Sequence, residues 1–248
     1  MPQHTISHAD ELYFGAARQP NMVSKRRGVR LHPIVQVDLG APLTLDADGL
    51  IDAATGTELP DTETVTYTPA NAGTSPVDGA NTTWVLDVPR NITAAVSHGS
   101  SVVAMTILIT GKDVYGQRMS ELLTIAATGT SQTATGVKAF KSIDSIAITA
   151  AADAEANTLD VGFGDTLGLP YRLGGAYDIL SKFVDGGLEA IGSGTQTAGV
   201  ATTATTTTGD VRGTWLPATA TNGTRRFRMW MKIHDPSTDA GAFGVTQA

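Results

Sequence analysis

Residues 226–234 read Arg226-Phe-Arg-Met-Trp-Met-Lys-Ile-His234. Phe227, Met229, Met231 and Ile233 alternate with Arg226, Arg228, Lys232 and His234, and Trp230 falls on the basic side. Successive side chains of a β-strand point to opposite faces, so this alternation predicts a strand with one apolar and one basic face. The same period recurs outward from it. Val35, Val37 and Leu39 alternate with Gln36 and Asp38, and Val65 and Tyr67 with Thr64, Thr66 and Thr68. Trp84, Leu86 and Val88 alternate with Thr83 and Asp87, and Leu159, Val161 and Phe163 with Thr158, Asp160 and Gly162.

Residues 101–110, SVVAMTILIT, place Val103, Met105, Ile107 and Ile109 on one face. Val102, Ala104 and Leu108 leave the other face largely apolar too, which predicts burial on both sides. Residues 118–126 put Met119, Leu123 and Ile125 on one face, with Glu121 as the exception. The polar, glycine-bounded stretch Gly111–Gly116 between them predicts a β-hairpin with a longer loop. Further strands are expected at 140–149 and 211–216. Turn signals separate the runs: Asp48-Gly49, Asp78-Gly79, His98-Gly99, Thr128-Gly129, Asp185-Gly-Gly187 and Asn222-Gly223. Helical periodicity is weak. Its best stretch, Tyr177 to Ile191, contains Gly186 and Gly187, each costing about 1 kcal/mol in a helix, and reads better as strand or loop. A second weak stretch is Ala9 to Ala17. The expectation is an all-β protein, a β-sandwich or barrel-like set of antiparallel sheets with little helix and an extended N-terminal arm.

Composition narrows the function classes. The 248-residue chain has no cysteine, which removes disulfides, thiolate zinc sites and cysteine nucleophiles. Its net charge of −7 argues against a general nucleic-acid binder, which needs positive charge against phosphate. Residues 1–18 lack a basic start followed by an apolar run, and no stretch approaches the roughly 18 apolar residues of a membrane span. A soluble protein made in a cytoplasm is therefore expected. Charged residues are 17%, while 36 Thr, 33 Ala and 27 Gly supply strand faces and turns.

The organisation reads as a basic arm at 1–34, a main β domain at 35–165 and a second β-rich part at 166–248, with Gly168–Gly175 as the junction. Thr195 to Thr208 is nearly low-complexity and reads as exposed strand or flexible loop. The glycosylation-like triplets at Asn81, Asn91 and Asn222 read as chance in a Thr-rich chain.

Recognisable reactive groupings are few. Gly162-Phe-Gly164 lacks the Lys-Thr pair of a phosphate loop, and the Gly-x-Ser-x-Gly elbow is missing. His98 beside Ser100 and Ser101 reads as a turn, not a relay. His4, His8, His32, His98 and His234 have no metalloprotease spacing. Asp46-Ala-Asp48-Gly49 begins like a calcium loop, but its glycine falls at the fourth position where the loop needs it at the sixth; Asp235 and Asp239 read the same way. The chain is expected to be no enzyme, with no metal and no cofactor. Trp84, Trp215 and Trp230 all sit in strand patterns, which favours packing over a sugar-binding platform. What stands out is two concentrations of positive charge in an acidic chain. Lys25, Arg26, Arg27 and Arg30 form one, and Arg225, Arg226, Arg228 and Lys232, with Trp230 beside them, form the other. Both are candidate contacts for an acidic partner.

Three stretches resemble virion proteins of tailed bacteriophages, of the head decoration or minor structural type. They are Ile109–Glu121 (ITGKDVYGQRMSE) with Lys138–Ile143, Val161–Leu173 (VGFGDTLGLPYRL), and Gly209–Pro217 (GDVRGTWLP) leading to Asn222–Phe227. The resemblance spans roughly residues 105–230 and leaves the first 100 outside. It implies a capsid decoration or cement protein that oligomerises on the head shell, with the major capsid protein and further copies of itself, a trimer among them, as partners. It also implies a virion location after assembly in the bacterial cytoplasm; the acidic charge and the lack of a long apolar run leave nucleic acid and membrane out of the expected partners. A tail-associated virion protein and, from a different class, a carbohydrate-binding β module are the alternatives.

Overall fold

The computed structural model describes residues 34–56, 59–60, 63–69, 83–150, 152, 154–190, 192–200 and 204–232. The strands are β1 (Ile34–Gly40), β2 (Asp46–Thr55), β3 (Thr64–Tyr67), β4 (Trp84–His98), β5 (Met105–Lys112), β6 (Arg118–Ile125) and β7 (Ser131–Thr135). They continue with β8 (Phe140–Ala150), β9 (Asn157–Gly168), β10 (Ile179–Val184), β11 (Gly187–Glu189), β12 (Thr195–Ala198), β13 (Gly213–Leu216) and β14 (Phe227–Lys232). A 3-10 turn, Ala176–Asp178, precedes β10. Every pairing is antiparallel, and the protein is all-β as the alternation predicts.

The large sheet runs β12-β13-β9-β4-β8-β5-β6, with β2 added on β9, β3 on β8 and β7 on β4. It curls because β4 and β8 each change partner along their length. Trp84 and Val85 pair with β8, whereas Thr93 to Ser97 pair with β7, and β9 follows the opposite edge of β4. The change falls around Pro89, which has no N–H to give a ladder, and the register shifts there. Strands β3-β8-β5-β6 and β2-β9-β4-β7 thus pack over one shared core, from Ile107, Ile109, Phe140, Ile146 and Ile148 to Ile92, Val96, Leu159 and Val161. Each such side chain, fully buried, contributes on the order of 1.5–3 kcal/mol. The two halves join at the β4/β8 corner, and among the described residues no ladder joins β6 to β7 at the opposite corner.

The β5–β6 hairpin forms in the expected register, from Met105↔Ile125 to Lys112↔Arg118. Two details depart from the sequence reading. β5 is not buried on both faces: Met105, Ile107 and Ile109 are buried, while Thr106, Leu108 and Thr110 on the other face are half-buried. The strand also begins at Met105, because the Asn157 amide takes both backbone groups of Val103, receiving its N–H at 3.2 Å and donating to its C=O at 3.3 Å. An asparagine side chain there replaces a ladder.

The small sheet runs β1-β14-β10-β11. Phe227, Met229 and Met231 point inward, with Val37, Leu39 and Ile179 from the neighbouring strands. They meet Leu167 of β9, Leu169, Leu173 and Trp215 of β13, so this second core is the joint between the two sheets. The sheets are not divided by chain order. β1 belongs to the C-terminal sheet and β13 to the large one, so neither lies on one side of residue 165. Arg90, fully buried, reinforces the joint. It pairs with Asp87 at 2.9 Å, donates to Gly164 O at 3.2 Å and to the carbonyl of Leu43, and lies over the Phe163 ring at 5.1 Å.

Within the stretch Tyr177 to Glu189 the chain leaves the 3-10 turn and forms two strands, as its glycines suggest. β10 and β11 are joined by Asp185-Gly186, with φ of 51° and 81°. Positive φ at both central positions defines a type I′ hairpin turn, which Asp-Gly adopts at low cost.

Candidate docking face and the joint behind it

Period-two geometry fixes which side chains the small sheet sends outward. In β14 these are Arg228, Trp230 and Lys232, opposite the inward Phe227, Met229 and Met231. Register adds Gln36 and Asp38 of β1, Ser181 and Phe183 of β10, and Leu188 of β11, which is cross-strand to Phe183. Arg226 flanks the face and grips Asp38 through Nε, at 3.0 Å, and Nη2. The Arg226 guanidinium holds the Asp38 carboxyl below its ordinary value, with Arg228 adding to the effect. The Arg226 backbone N–H donates to Asp185 at 3.0 Å, which ties the hairpin turn to the start of β14. Lys232 pairs with Asp178 at 3.2 Å, and Arg225 donates to Ala220 O at 2.8 Å. The face and its rim remain open to solvent: Tyr177 is 93% exposed, Leu188 70% and Trp230 39%.

The structure thus gathers Arg225, Arg226, Arg228 and Trp230 on or beside one sheet face. Lys25, Arg26, Arg27 and Arg30 lie outside the described residues, as do Asn81, His4, His8, His32, His234, Asp235 and Asp239. Trp84 and Trp215 are buried, and Trp215 packs edge-on against Phe227 at 5.8 Å with a 70° interplanar angle. Only Trp230 of the 3 tryptophans presents its ring outward. Beneath the face Lys182 is fully buried; its ammonium donates to Ser193 O and lies 5.9 Å from the Trp215 ring centre, and burial lowers its pKa.

Behind this face lies a set of polar side chains that the sequence reading did not single out. Asp113, in the β5–β6 loop, pairs with Arg212 at 2.6 Å, and both are buried. The Arg212 guanidinium sits 4.6 Å from the centre of the Tyr115 ring, whose hydroxyl donates to Pro170 O at 2.7 Å. The other Asp113 oxygen accepts the N–H groups of Tyr115 and Gln117 at 2.8 and 2.9 Å, which fixes the loop. Asp210 accepts the Arg212 N–H at 2.8 Å and the Ala139 N–H at 3.2 Å.

Glu121 continues the chain of contacts. It occupies an inward position of β6 at the corner where β6 and β7 fail to pair. Its Oε1 accepts the N–H groups of Val137 and Lys138 at 2.6 and 3.2 Å, and the Lys138 ammonium donates to Ser120 O at 2.8 Å. The carboxylate and the ammonium close a seam that lacks a ladder. Leu122 N–H adds a bond to Thr206 O at 2.8 Å, so the Thr-rich stretch supplies one backbone contact of a missing strand. Burial pushes the Glu121 carboxyl up to about 7, against the pull of those two N–H groups. Pro170, Asp113 with Tyr115, and Asp210 with Arg212 come from the stretches 161–173, 109–121 and 209–217, which therefore meet at one joint.

The remaining candidates resolve into local structure. His98 Nδ1 accepts the N–H groups of Ser100 and Ser101 at 2.9 and 3.0 Å, which makes it a turn cap. Asn91 is buried, donates to Gly136 O at 3.2 Å and accepts from Thr166 N at 3.1 Å, so it offers no glycan acceptor. Asn222 caps the turn before β14 by accepting the N–H groups of Thr224 and Arg225 at 3.0 and 2.7 Å. Asp46 and Asp48 share a hydrogen bond that raises the Asp46 carboxyl above its ordinary value. Among the described residues, no group of three or more His, Cys, Asp or Glu is placed to hold a metal ion, and no helix is long and apolar enough to cross a membrane. In comparisons with known proteins, no family model, no curated protein and no solved structure matches the chain.

Proposed function

We propose that this chain is a structural protein of a tailed-bacteriophage virion, a decoration or cement protein that oligomerises on the head shell and stabilises it. The observation that carries this reading is the joint just described. The polar residues of the three phage-like stretches converge on one another, so the resemblance follows a unit of architecture and not scattered local motifs. The outward face around Arg228 and Trp230 supports the same reading. Tryptophan, tyrosine and arginine dominate protein contacts energetically, and here Trp230 and Arg228 stand on an antiparallel sheet with Tyr177 at its rim. A shell protein repeats one contact many times, so modest surfaces suffice when they act together. Binding to the assembled shell stabilises it by mass action. The major capsid protein and further copies of the chain are the partners in this reading, and the virion surface is the place.

Quantitative mass spectrometry of gradient-purified particles tests it. The expected result is the chain at a copy number that scales with the major capsid protein. Absence from particles overturns the reading, and a copy number matching a tail component moves the chain to the tail.

A further inference from the structure

Two surfaces of this chain are complementary to one another. The first is the outer face of the small sheet. Arg226 and Lys232 spend their charges on Asp38 and Asp178. Arg228 has no salt bridge among the described residues, and it stands between Asp38 and Trp230 with Phe183 across the ladder. The second surface is the start of β2, which among the described residues pairs only with β9. Asp48 and Asp52 are exposed and Asp46 half-exposed, and none of them has a salt bridge among the described residues. Two bare leucines, Leu43 and Leu45, precede them at 51% and 49% exposure. One surface thus offers a cation among apolar groups, and the other offers carboxylates beside apolar groups.

The chain's own N-terminal segment is the obvious rival for the basic face, because Ile34 opens an edge strand of that sheet. Its Lys25, Arg26, Arg27 and Arg30 carry the same sign as the face, and like charges disfavour that contact. A second copy brings the opposite sign. We propose that the outer face of the small sheet docks onto the acidic ridge of β2 in a second copy. Arg228 faces the carboxylates of Asp46 and Asp48 there, and Trp230 and Leu188 cover Leu43 and Leu45.

The two patches differ, so the contact is heterologous: each copy gives one and receives one. It closes into a ring, a ring of three included, or runs on as a lattice according to the rotation between copies. Strand spacing and rise make the face about 15 Å by 20 Å, or about 300 Å². That lies below the size of interfaces that hold an isolated pair tightly, so the contact is weak singly and gains by repetition. It rests on the assembly role for its setting but is measured on the purified chain. Its failure leaves particle localisation untouched, and the reverse holds too.

Sedimentation velocity of the full chain over a concentration series, in low and high salt, tests it. The expected result is a weight-average sedimentation coefficient that rises with concentration in low salt and falls back when salt screens the contact. Arg228→Glu and Asp48→Arg, each alone, lose the rise while keeping the β-type circular dichroism of the parent. Mixed in equal amounts, they regain association, because the unaltered basic face of one meets the unaltered ridge of the other and the two reversed sites attract each other in turn. A chain that is monomeric at every concentration overturns the proposal. So does an Arg228→Glu variant that associates like the parent, or a mixture that stays monomeric.

Discussion

Glu121 places a carboxyl group at a core position of β6, on the stripe that otherwise carries Met119, Leu123 and Ile125. Its partners, the N–H groups of Val137 and Lys138, arrive from a segment with no strand beside it, so the residue does by side chain what a ladder does elsewhere. Its value in the fold, about 7, lies above the ordinary 4.5, and folding therefore favours the protonated form. The stability tied to that preference is fully present below the unfolded value and is lost as pH rises through about 7. The interval between the two corresponds to on the order of 3 kcal/mol. Urea unfolding is expected to show stability declining from about pH 5 to about pH 8, and Glu121→Gln is expected to remove most of that decline. An unchanged slope in the variant contradicts the assignment. Gly136 sits against the same carboxyl: a Cβ there would lie 2.5 Å from Glu121 Oε2 and 2.9 Å from Ile92 O. Gly136→Ala is expected to lower stability by about 1–3 kcal/mol, the usual cost of overpacking. The sequence marks Glu121 as an exception to its stripe, but its role depends on residues 16 and 17 positions away across a turn, which periodicity does not encode.

Among elements, the β5–β6 hairpin and the segment around Arg212 are locked by a buried ion pair. Removing one partner strands the other's charge in the interior, which costs about 3–5 kcal/mol. Asp113→Asn and Arg212→Met are each expected to fall near that range by urea unfolding. The pair Asp113→Asn with Arg212→Met is expected to cost clearly less than the sum of its parts. Additive losses would mean that the two groups do not act as a pair. The hairpin was legible in the sequence because its alternation and its glycine-bounded loop are local. The partner of its loop was not, since Arg212 lies 99 residues from Asp113. The same limit explains β5. Its apolar alternate residues suggest a buried second face, yet how far a sheet face is covered is decided by topology, and here Thr106, Leu108 and Thr110 stay half-buried. β4 shows the converse, because one long strand that serves β8 and then β7 on one edge and β9 on the other has no mark in sequence beyond Pro89.

For the molecule as a whole, chain order and spatial order differ. β1 pairs with β14 from Ile34↔Lys232 onward, so the first described strand is integral to the last sheet. Truncation is expected to show a sharp boundary in thermal melts. Deleting residues 1–33 leaves the melt within a few degrees of the parent, whereas deleting residues 1–40 strips β14 of one neighbour and lowers it markedly. If both truncations melt like the parent, β1 does not contribute to the sheet as described. The first truncation also bears on assembly. The basic residues Lys25, Arg26, Arg27 and Arg30 go with it, and weaker shell binding by an intact core is the expected result. The basic concentration near the C-terminus was legible from one strand's alternation, and the structure turned it into a face by adding Asp38, Phe183 and Leu188 from other strands. Its acidic counterpart at β2 was visible only as a failed calcium loop.

Cryo-microscopy of purified particles discriminates the proposed role, packing and docking on a phage head, from the others. Density for this all-β chain is expected on the head surface, repeating with the capsid lattice, with the Arg228–Trp230 face turned toward a neighbouring subunit. Heads without that density, or the same density confined to the tail, would contradict it.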